Sequence, residues 1–277
     1  MHWAMVARRP QRVTRLVAIL ALLLALALSV TPLKASAASC SFTTLSLHTP
    51  NALAAAASFL ASANGHVVLC LGDFVHDDAC STFLAPHRDV LSLVIRPATP
   101  SGAPLITCPP SATRDAMPPL LAWVMPMSSA FTMEGIAFAD IRLASAPLIN
   151  LDVHPHTSAV RIAGLTLRNV TTSHVDGLVL VRMFDSDPSP PPFLPVAVDL
   201  DGWSVVDVVV PSSAAIVSVG SGPSSGLLGI TIPHAVSLSG SSFASSVGVA
   251  LYAGGAAHAA SLPTAVTDCS FSQLLMP

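Results

Sequence analysis

An eleven-residue pattern that occurs five times constrains this chain more than any other feature of its sequence. Each copy begins with two apolar residues that are separated by one other residue. A glycine or aspartate follows, then a further apolar residue, and a polar residue lies near the end. Alternation with a period of two is typical of β-strands, and glycine and aspartate tolerate the positive φ of a tight corner. The pattern therefore predicts repeated strand–corner–strand units. The copies are 131–141, 160–170, 198–208, 236–246 and 264–274.

The spacing of the corners predicts how these units are arranged. Successive corners are 28, 29 or 38 residues apart, so a repeat of about 28 residues carries two insertions. One insertion is the proline-rich loop 185–195, which cannot join a ladder of strands. The corner residues are Gly135, Gly164, Gly202, Gly240 and Asp268; the next inward residues are Phe138, Leu167, Val205, Phe243 and Phe271; the closing polar residues are Asp140, Asn169, Asp207, Ser245 and Gln273.

A second apolar strand follows each corner, with Ile149, Leu178 and Ile216 predicted at equivalent positions. An antiparallel sandwich reverses direction roughly every 8 to 12 residues and needs no single corner type at a long period. Stacking equal positions about 4.8 Å apart instead lets each row of apolar side chains form a continuous stripe. The chain is therefore predicted to be an all-β, right-handed parallel β-helix with regular coils over 131–274.

Residues 1–37 are predicted to be a signal peptide. The uncharged apolar run 16–30 follows several arginines, and the small residues 35–37 suit cleavage. An uncleaved anchor is the alternative, although the run is shorter than the about 20 residues that span a bilayer. We therefore expect an exported protein, secreted or at the cell surface, with a β-helix domain over 38–277 and no membrane span after signal cleavage.

The charge balance excludes one class of partner. Without the signal segment the chain carries seven basic residues, all arginine, against fifteen acidic ones. Such an acidic surface repels phosphate backbones, so no nucleic acid is expected to bind. The sequence contains neither a P-loop nor a C-x-x-C pair, and no cofactor is predicted.

The alanine-rich segment 51–63 is predicted to form a helix. Thr49 is the candidate N-cap, Pro50 suits the first turn, and Gly65 follows the end. A helix at this place suits the role of covering the edge of the first strands.

A strand predicted over 67–71 follows this helix and ends at Gly72. The helix and the sequence NGHVVLCLGDF, with Gly72 and Phe74, resemble the N-terminal cap and first strand of pectin-lyase-like right-handed parallel β-helix proteins. The resemblance implies that 49–75 form the cap helix and first strand.

Two later segments resemble, more loosely, the F-x-x-N and G-G-A-I repeats of polymorphic outer membrane proteins. Segment 242–252 carries Phe243 followed by Ala-Leu-Tyr, and segment 269–274 carries Phe271. Ser246 and Leu274 occupy the places of the repeat asparagine, and no functional motif accompanies the likeness.

Five cysteines in an exported chain predict disulfides. Cys40, Cys70, Cys80 and Cys108 lie in the N-terminal third and allow three connectivities, of which a Cys70–Cys80 bond is preferred. Cys269 remains and is predicted to be a buried thiol.

Asn169 begins an Asn-Val-Thr sequence, which is an acceptor site for N-glycosylation. The same residue closes its repeat, where asparagine side chains bond turn backbone. Both roles stay open on the sequence alone.

The candidate ligand-binding patch is Asp199, Asp201 and the neighbouring Trp203. Strand alternation turns both aspartates outward, and repeat alignment predicts that Arg161 pairs with Asp199. If the protein is an enzyme, the catalytic candidates are these two aspartates with Arg161 and Glu134, since cleaving a sugar linkage needs acid and base groups on one face.

A weaker hypothesis is a metal site. Asp152, His154 and His156 alternate along one predicted strand and point the same way, although Pro155 interrupts it. No second cluster supplies further ligands, so no metal is predicted.

The sequence favours a non-catalytic protein with a recognition or structural role, with an extracellular glycan or cell-wall material as partner. The Asn-Thr-Asp, Asp-Asp and Gly-His-Gly runs of pectin hydrolases are absent, and so is the Asp-rich calcium cluster of the lyases. The alternative is a divergent lyase or hydrolase of polymers that contain uronic acids. The last strand is expected to present an open edge, which a protein partner or a continuation of the chain would cover.

Overall fold

A computed structural model describes residues 44–109, 118–154, 158–183, 196–211, 214–220, 234–246, 249–254 and 264–273. The predicted signal segment 1–37, the predicted loop 185–195, Cys40 and His156 lie outside these ranges. The N-terminal elements are β1 (Thr44–Leu47), α1 (Leu53–Leu60), β2 (Gly65–Leu71), β3 (Val75–His76), a 3-10 helix (Asp77–Cys80), β4 (Val90–Pro97), β5 (Leu105–Thr107) and β6 (Leu121–Met125).

The remaining described elements are all strands. They are β7 (Ala130–Glu134), β8 (Ala137–Leu143), β9 (Ile149–Val153), β10 (Ala159–Ala163), β11 (Thr166–Thr172), β12 (Gly177–Met183), β13 (Val196–Asp201), β14 (Ser204–Val206), β15 (Ala215–Gly220), β16 (His234–Ser239), β17 (Ser242–Ala244), β18 (Val249–Gly254), β19 (Thr264–Thr267) and β20 (Ser270–Ser272).

The strands form three sheets, and every strand pair in them is parallel. The first sheet runs β1-β2-β4-β7-β10-β13-β16-β19, the second β3-β5-β8-β11-β14-β17-β20, and the third β6-β9-β12-β15-β18. From β4 onward the chain enters the first, second and third sheets in turn. We call one such passage a repeat. The all-β class and the parallel pairing predicted from the sequence are confirmed.

The register predicted from the corners is confirmed in the first two sheets. Phe138 pairs with Leu167, which pairs with Val205, and the row continues through Phe243 and Phe271. The four earlier members of this row are buried, whereas Phe271, in the edge strand, is 48% exposed. Each buried side chain of this kind stabilises the fold by about 1.5–3 kcal/mol.

In the third sheet the predicted equivalence of Leu178 and Ile216 agrees with the register, whereas Ile149 was placed one residue out. Ile149 pairs with Val179, and Val179 with Val217. Leu178 is therefore equivalent to Leu148, whose N–H donates to the Leu178 carbonyl. The segment between the corner and this strand has one residue fewer in the earlier repeat, so a fixed count from the glycine fails there.

The corner glycines form one column, as predicted. Gly135, Gly164, Gly202 and Gly240 all have φ between 56° and 63°, and Asp268 continues the series at 53°. Each glycine N–H donates to a carbonyl of the next repeat, for example Gly164 to Asp201 over 2.7 Å. The column needs residues that adopt the left-handed region without strain.

A second column of positive φ lies on the other side of the second sheet. It contains the polar residues predicted to bond turn backbone, and four of them bond one another in pairs through their side chains. Asn169 Nδ2 donates to Asp140 Oδ1 over 2.7 Å, and Ser245 Oγ donates to Gln273 Oε1 over 2.9 Å. Its members are Asp140, Asn169, Asp207, Ser245 and Gln273, with φ between 49° and 56°.

Helix α1 is shorter than the predicted 51–63, and Thr49 is not its N-cap. The cap position is Ala52, whose methyl side chain cannot accept a hydrogen bond. Asp78 of the 3-10 helix instead accepts from the Ala54 N–H through Oδ2 at 3.2 Å. One face of the helix is buried through Leu53, Ala56 and Leu60. Within the described ranges, no helix has the length and apolar character to cross a membrane.

The preferred Cys70–Cys80 disulfide was wrong. Cys80 is bonded to Cys108, with 5.3 Å between the Cα atoms and a sequence separation of 28 residues. The bond joins the end of the 3-10 helix that follows β3 to the residue that follows β5, and β3 and β5 are paired neighbours in the second sheet. Cys70 is disulfide-bonded as well, whereas Cys269 is a free, half-buried thiol.

Replacing Gly202 tests the corner column. A Cβ at this position would meet nothing closer than Gly164 N at 3.7 Å, so space does not decide the outcome. Gly202→Ala is expected to lower the free energy of unfolding by about 1 kcal/mol, and Gly202→Asn by less, because asparagine tolerates positive φ. Urea denaturation of both variants measures this. Equal losses would contradict the account of the corner.

Removing the Cys80–Cys108 bond tests the covalent link between the 3-10 helix and the segment that follows β5. The Cys80→Ala/Cys108→Ala variant is expected to lose about 3 kcal/mol, because its unfolded chain is no longer closed into a loop. Urea unfolding without reductant gives the value. Cys269→Ser leaves the bond intact and serves as control; a double variant as stable as this control would refute the prediction.

Candidate functional site

Two rows of polar side chains cover the outward face of the first sheet. They exist because β7, β10, β13, β16 and β19 pair in register, so alternate residues of each strand lie directly beside their equivalents. This register was predicted from the repeats and is confirmed. One row is Thr132, Arg161, Asp199, Ser237 and Ala265; the other is Glu134, Ala163, Asp201, Ser239 and Thr267.

Arg161 connects two carboxylates of this face. Its Nη1 lies 2.5 Å from Asp199 Oδ2, as the predicted pairing requires, and its Nε lies 3.7 Å from Glu134 Oε1. The side chains of Arg161 and Asp199 are 47% and 39% exposed, so water screens the pair. Exposed ion pairs contribute less than about 1 kcal/mol. The network therefore orders these side chains more than it stabilises the fold.

Serine hydroxyls complete the network on β16. Ser237 Oγ donates to Asp199 Oδ1 and Ser239 Oγ donates to Asp201 Oδ1, each over 2.7 Å. Both oxygens of Asp199 are thus held by neighbouring repeats. The result is a fixed grid of two carboxylates and two hydroxyls on a partly exposed sheet. We name Asp199, Asp201, Ser237 and Ser239 the Asp–Ser grid.

Trp203 does not belong to this face, and its assignment to the ligand patch was wrong. The side chain is only 1% exposed, and its Nε1 donates to the Ile162 carbonyl over 2.8 Å. The residue after a corner glycine turns into the core, as Ile136 and Leu165 do in the preceding repeats. Trp203 therefore packs the interior and cannot contact an external sugar. The apolar character of those two equivalents was the signal that could have shown this.

Asp152 of the hypothetical metal site is held by an arginine. Arg182 Nε donates to Asp152 Oδ1 over 3.0 Å, across β12 and β9. Among the residues that the structure describes, no group of three His, Cys, Asp or Glu side chains is arranged to hold a metal. His154 is among the described residues and His156 is not, so the metal site stays an untested hypothesis.

Asn169 is exposed in the polar corner column. Its amide group donates to Asp140, so the structure shows a side-chain bond between repeats where turn bonding was expected. The same nitrogen would carry an N-linked sugar. Glycosylation of Asn169 stays a prediction.

His174 follows β11, and its surroundings lower the pKa of its imidazole. Burial lowers the pKa of its imidazole, nearby Asp176 opposes that shift, and Arg182 reinforces it. Its Nδ1 accepts the Asp176 N–H over 3.2 Å, which favours the neutral ring. Protonation would break this bond.

A cleft that was not predicted from the sequence lies beside the polar corner of the second sheet. Arg142, Asp77 and Thr107 line it together with Asp140 and Asn169. The pattern had identified the last two only as corner residues. Alternation beyond the Asp140 corner places Arg142 on the outward side of β8, and this alternation could have predicted that Arg142 lies beside Asp140.

No protein-family model matches the chain, and no curated protein matches it.

Stability is expected to depend on pH through His174. Its pKa is lower in the folded than in the unfolded chain, where it is about 6.5, so the unfolded chain binds more protons between these values. The stability that the neutral imidazole of His174 adds to the folded chain is therefore complete above about pH 6.5. It is lost as the pH falls through the folded pKa.

Urea unfolding of His174→Gln between about pH 5 and pH 7.5 measures this contribution, and the variant should show a flatter dependence than the wild type. His66→Gln, which replaces an exposed histidine, leaves the contribution in place and is the control. A slope unchanged in His174→Gln would contradict the assignment.

Proposed function

We propose that this chain is an exported right-handed parallel β-helix of the pectin-lyase-like type with a non-catalytic recognition role. Three parallel sheets entered in turn, with equal positions in register, support the architecture. Connections between parallel strands of one sheet are right-handed in about 98% of cases, which supports the hand. Helix α1 beside the first strands agrees with the cap that the sequence resembles.

The proposed ligand is an extracellular glycan or cell-wall polymer bound along the Asp–Ser grid. The observation that carries this is the in-register placement of two carboxylates over two hydroxyls on a partly exposed sheet. Such a grid offers acceptor oxygens at the strand spacing, and the hydroxyl groups of a polymer can donate hydrogen bonds to successive strands. An open face of this kind suits binding of an extended chain.

Several features of this face favour binding over catalysis. Both oxygens of Asp199 accept hydrogen bonds within the protein, and Arg161 lies between Glu134 and Asp199. A general base needs an oxygen that reaches the substrate proton. One observation favours the alternative of a lyase or hydrolase: a guanidinium and several carboxylates gathered on one face are groups such enzymes use.

The setting of this function follows from the sequence. The proposed signal segment 1–37 directs the chain out of the cell, where disulfides such as Cys80–Cys108 persist. Fifteen acidic residues against seven arginines beyond that segment repel nucleic acid. An exported, acidic recognition protein binds neutral polymers more readily than polyanions, because like charges repel.

A glycan array with the secreted protein tests the proposal, with Asp199→Asn/Asp201→Asn as the variant. Neutral glycans are expected to bind, and the double variant should weaken binding at least about tenfold, since charged hydrogen bonds are lost. The control is Asp207→Asn, the same change at an exposed corner of the second sheet. A flat array would overturn glycan recognition, and cleavage of a uronan by the wild type but not by the double variant would establish the enzyme.

A further inference from the structure

A cleft of about 480 Å³ lies at the polar corner of the second sheet. Its polar lining comes from Asp77 in the 3-10 helix, Thr107 in β5, Asp140 and Arg142 in β8, and Asn169 in β11. It is separate from the Asp–Ser grid, which lies on the first sheet. Sites for small ligands commonly have volumes of about 300–1,000 Å³, so this one has room for two sugar rings.

The charged groups of the cleft are available to a ligand. In the described part of the chain, no ion pair involves Arg142, Asp77 or Asp140. The Asp77 N–H donates to Asn51 Oδ1 over 3.0 Å, and Asp140 is held by Asn169. The backbone at Asp77 and the side chain of Asp140 are therefore fixed, and little ordering is needed on binding.

Charge and hydrogen-bonding capacity restrict the ligand. Two carboxylates and one guanidinium give the cleft a net negative charge, which disfavours uronic acids and other anions. A simple amine would satisfy the carboxylates but would leave the guanidinium of Arg142 without a partner in the ligand, whereas Asn169 and Thr107 already donate to Asp140 and to the Cys108 carbonyl. A ligand with both protonated amines and hydroxyl oxygens satisfies both sets.

We propose that this cleft binds a short saccharide with free amino groups, of the glucosamine type. The ammonium groups lie against Asp77 and Asp140, and the guanidinium of Arg142 donates to hydroxyl or ring oxygens. The site is independent of the proposed function, because the Asp–Ser grid can fail to bind a glycan while the cleft binds its ligand, and the reverse.

Calorimetric titration of the full secreted chain with the glucosamine disaccharide tests this, at a pH where its amines are protonated. The wild type is expected to bind it, and to bind the N,N′-diacetylated disaccharide at least about tenfold more weakly, because acetylation removes the charges. No heat from the glucosamine disaccharide at millimolar concentration, or equal binding of the acetylated form, would overturn the proposal.

Variants of the cleft distinguish this site from general attraction of cations to an acidic protein. Asp77→Asn and Asp140→Asn are each expected to weaken binding about tenfold, and asparagine tolerates the left-handed φ of residue 140. Asp207→Asn makes the same change in the same corner column outside the cleft, and should bind as the wild type does. Equal weakening in all three variants would show mere net-charge attraction and overturn the site.

Arg142→Gln separates a saccharide from a simple amine. If Arg142 donates to sugar oxygens, the variant binds the glucosamine disaccharide more weakly. Ethanolamine, a simple amine probe, should bind the wild type at least about tenfold more weakly than the disaccharide. Tighter binding of the disaccharide to Arg142→Gln, or ethanolamine binding as tight as the disaccharide, would overturn the saccharide class.

Discussion

Parallel pairing of equal positions in successive repeats is the constraint on which the rest of this structure depends. The backbone groups of the strands bond to the strands of neighbouring repeats, so each strand must keep its register or leave a row of buried donors and acceptors unpaired. The glycine corner makes this possible because its positive φ turns the chain between the first and second sheets without a side chain in the way. Register then places apolar residues over apolar residues inside and polar residues over polar residues outside.

The same constraint produces both candidate sites. Asp199 lies over Ser237, and Asp140 beside Asn169, because the strands that carry them are in register. These side chains bond across repeats and so hold positions that no single strand could fix. In the proposed β-helix, function would thus come from rows that cross strands, and a substitution in one repeat would alter a row shared by several.

Much of this arrangement could be predicted from the sequence because the corner residue is chemically restricted. Gly164 and Gly202 mark the register directly, and the Arg161–Asp199 pair followed from it. Trp203 was misplaced because it was grouped with Asp201 as a neighbour in the sequence, although the residue after each corner glycine points inward. The Cys80–Cys108 bond was missed because the segments around these cysteines lack the regular eleven-residue pattern that aligned the later repeats. The cleft depends on three-dimensional shape, which no pattern encodes.

Contacts between methyl groups in solution test the central claim most directly. With methyl-labelled Ile, Leu and Val in a deuterated protein, the account predicts nuclear Overhauser cross-peaks from Ile162 to Leu200 and from Leu200 to Leu238, each pair being in-register neighbours of the first sheet. The same spectra should connect Leu167 with Val205. If these cross-peaks are absent and methyl groups of strands adjacent in the chain show hairpin contacts instead, the stacked register is contradicted.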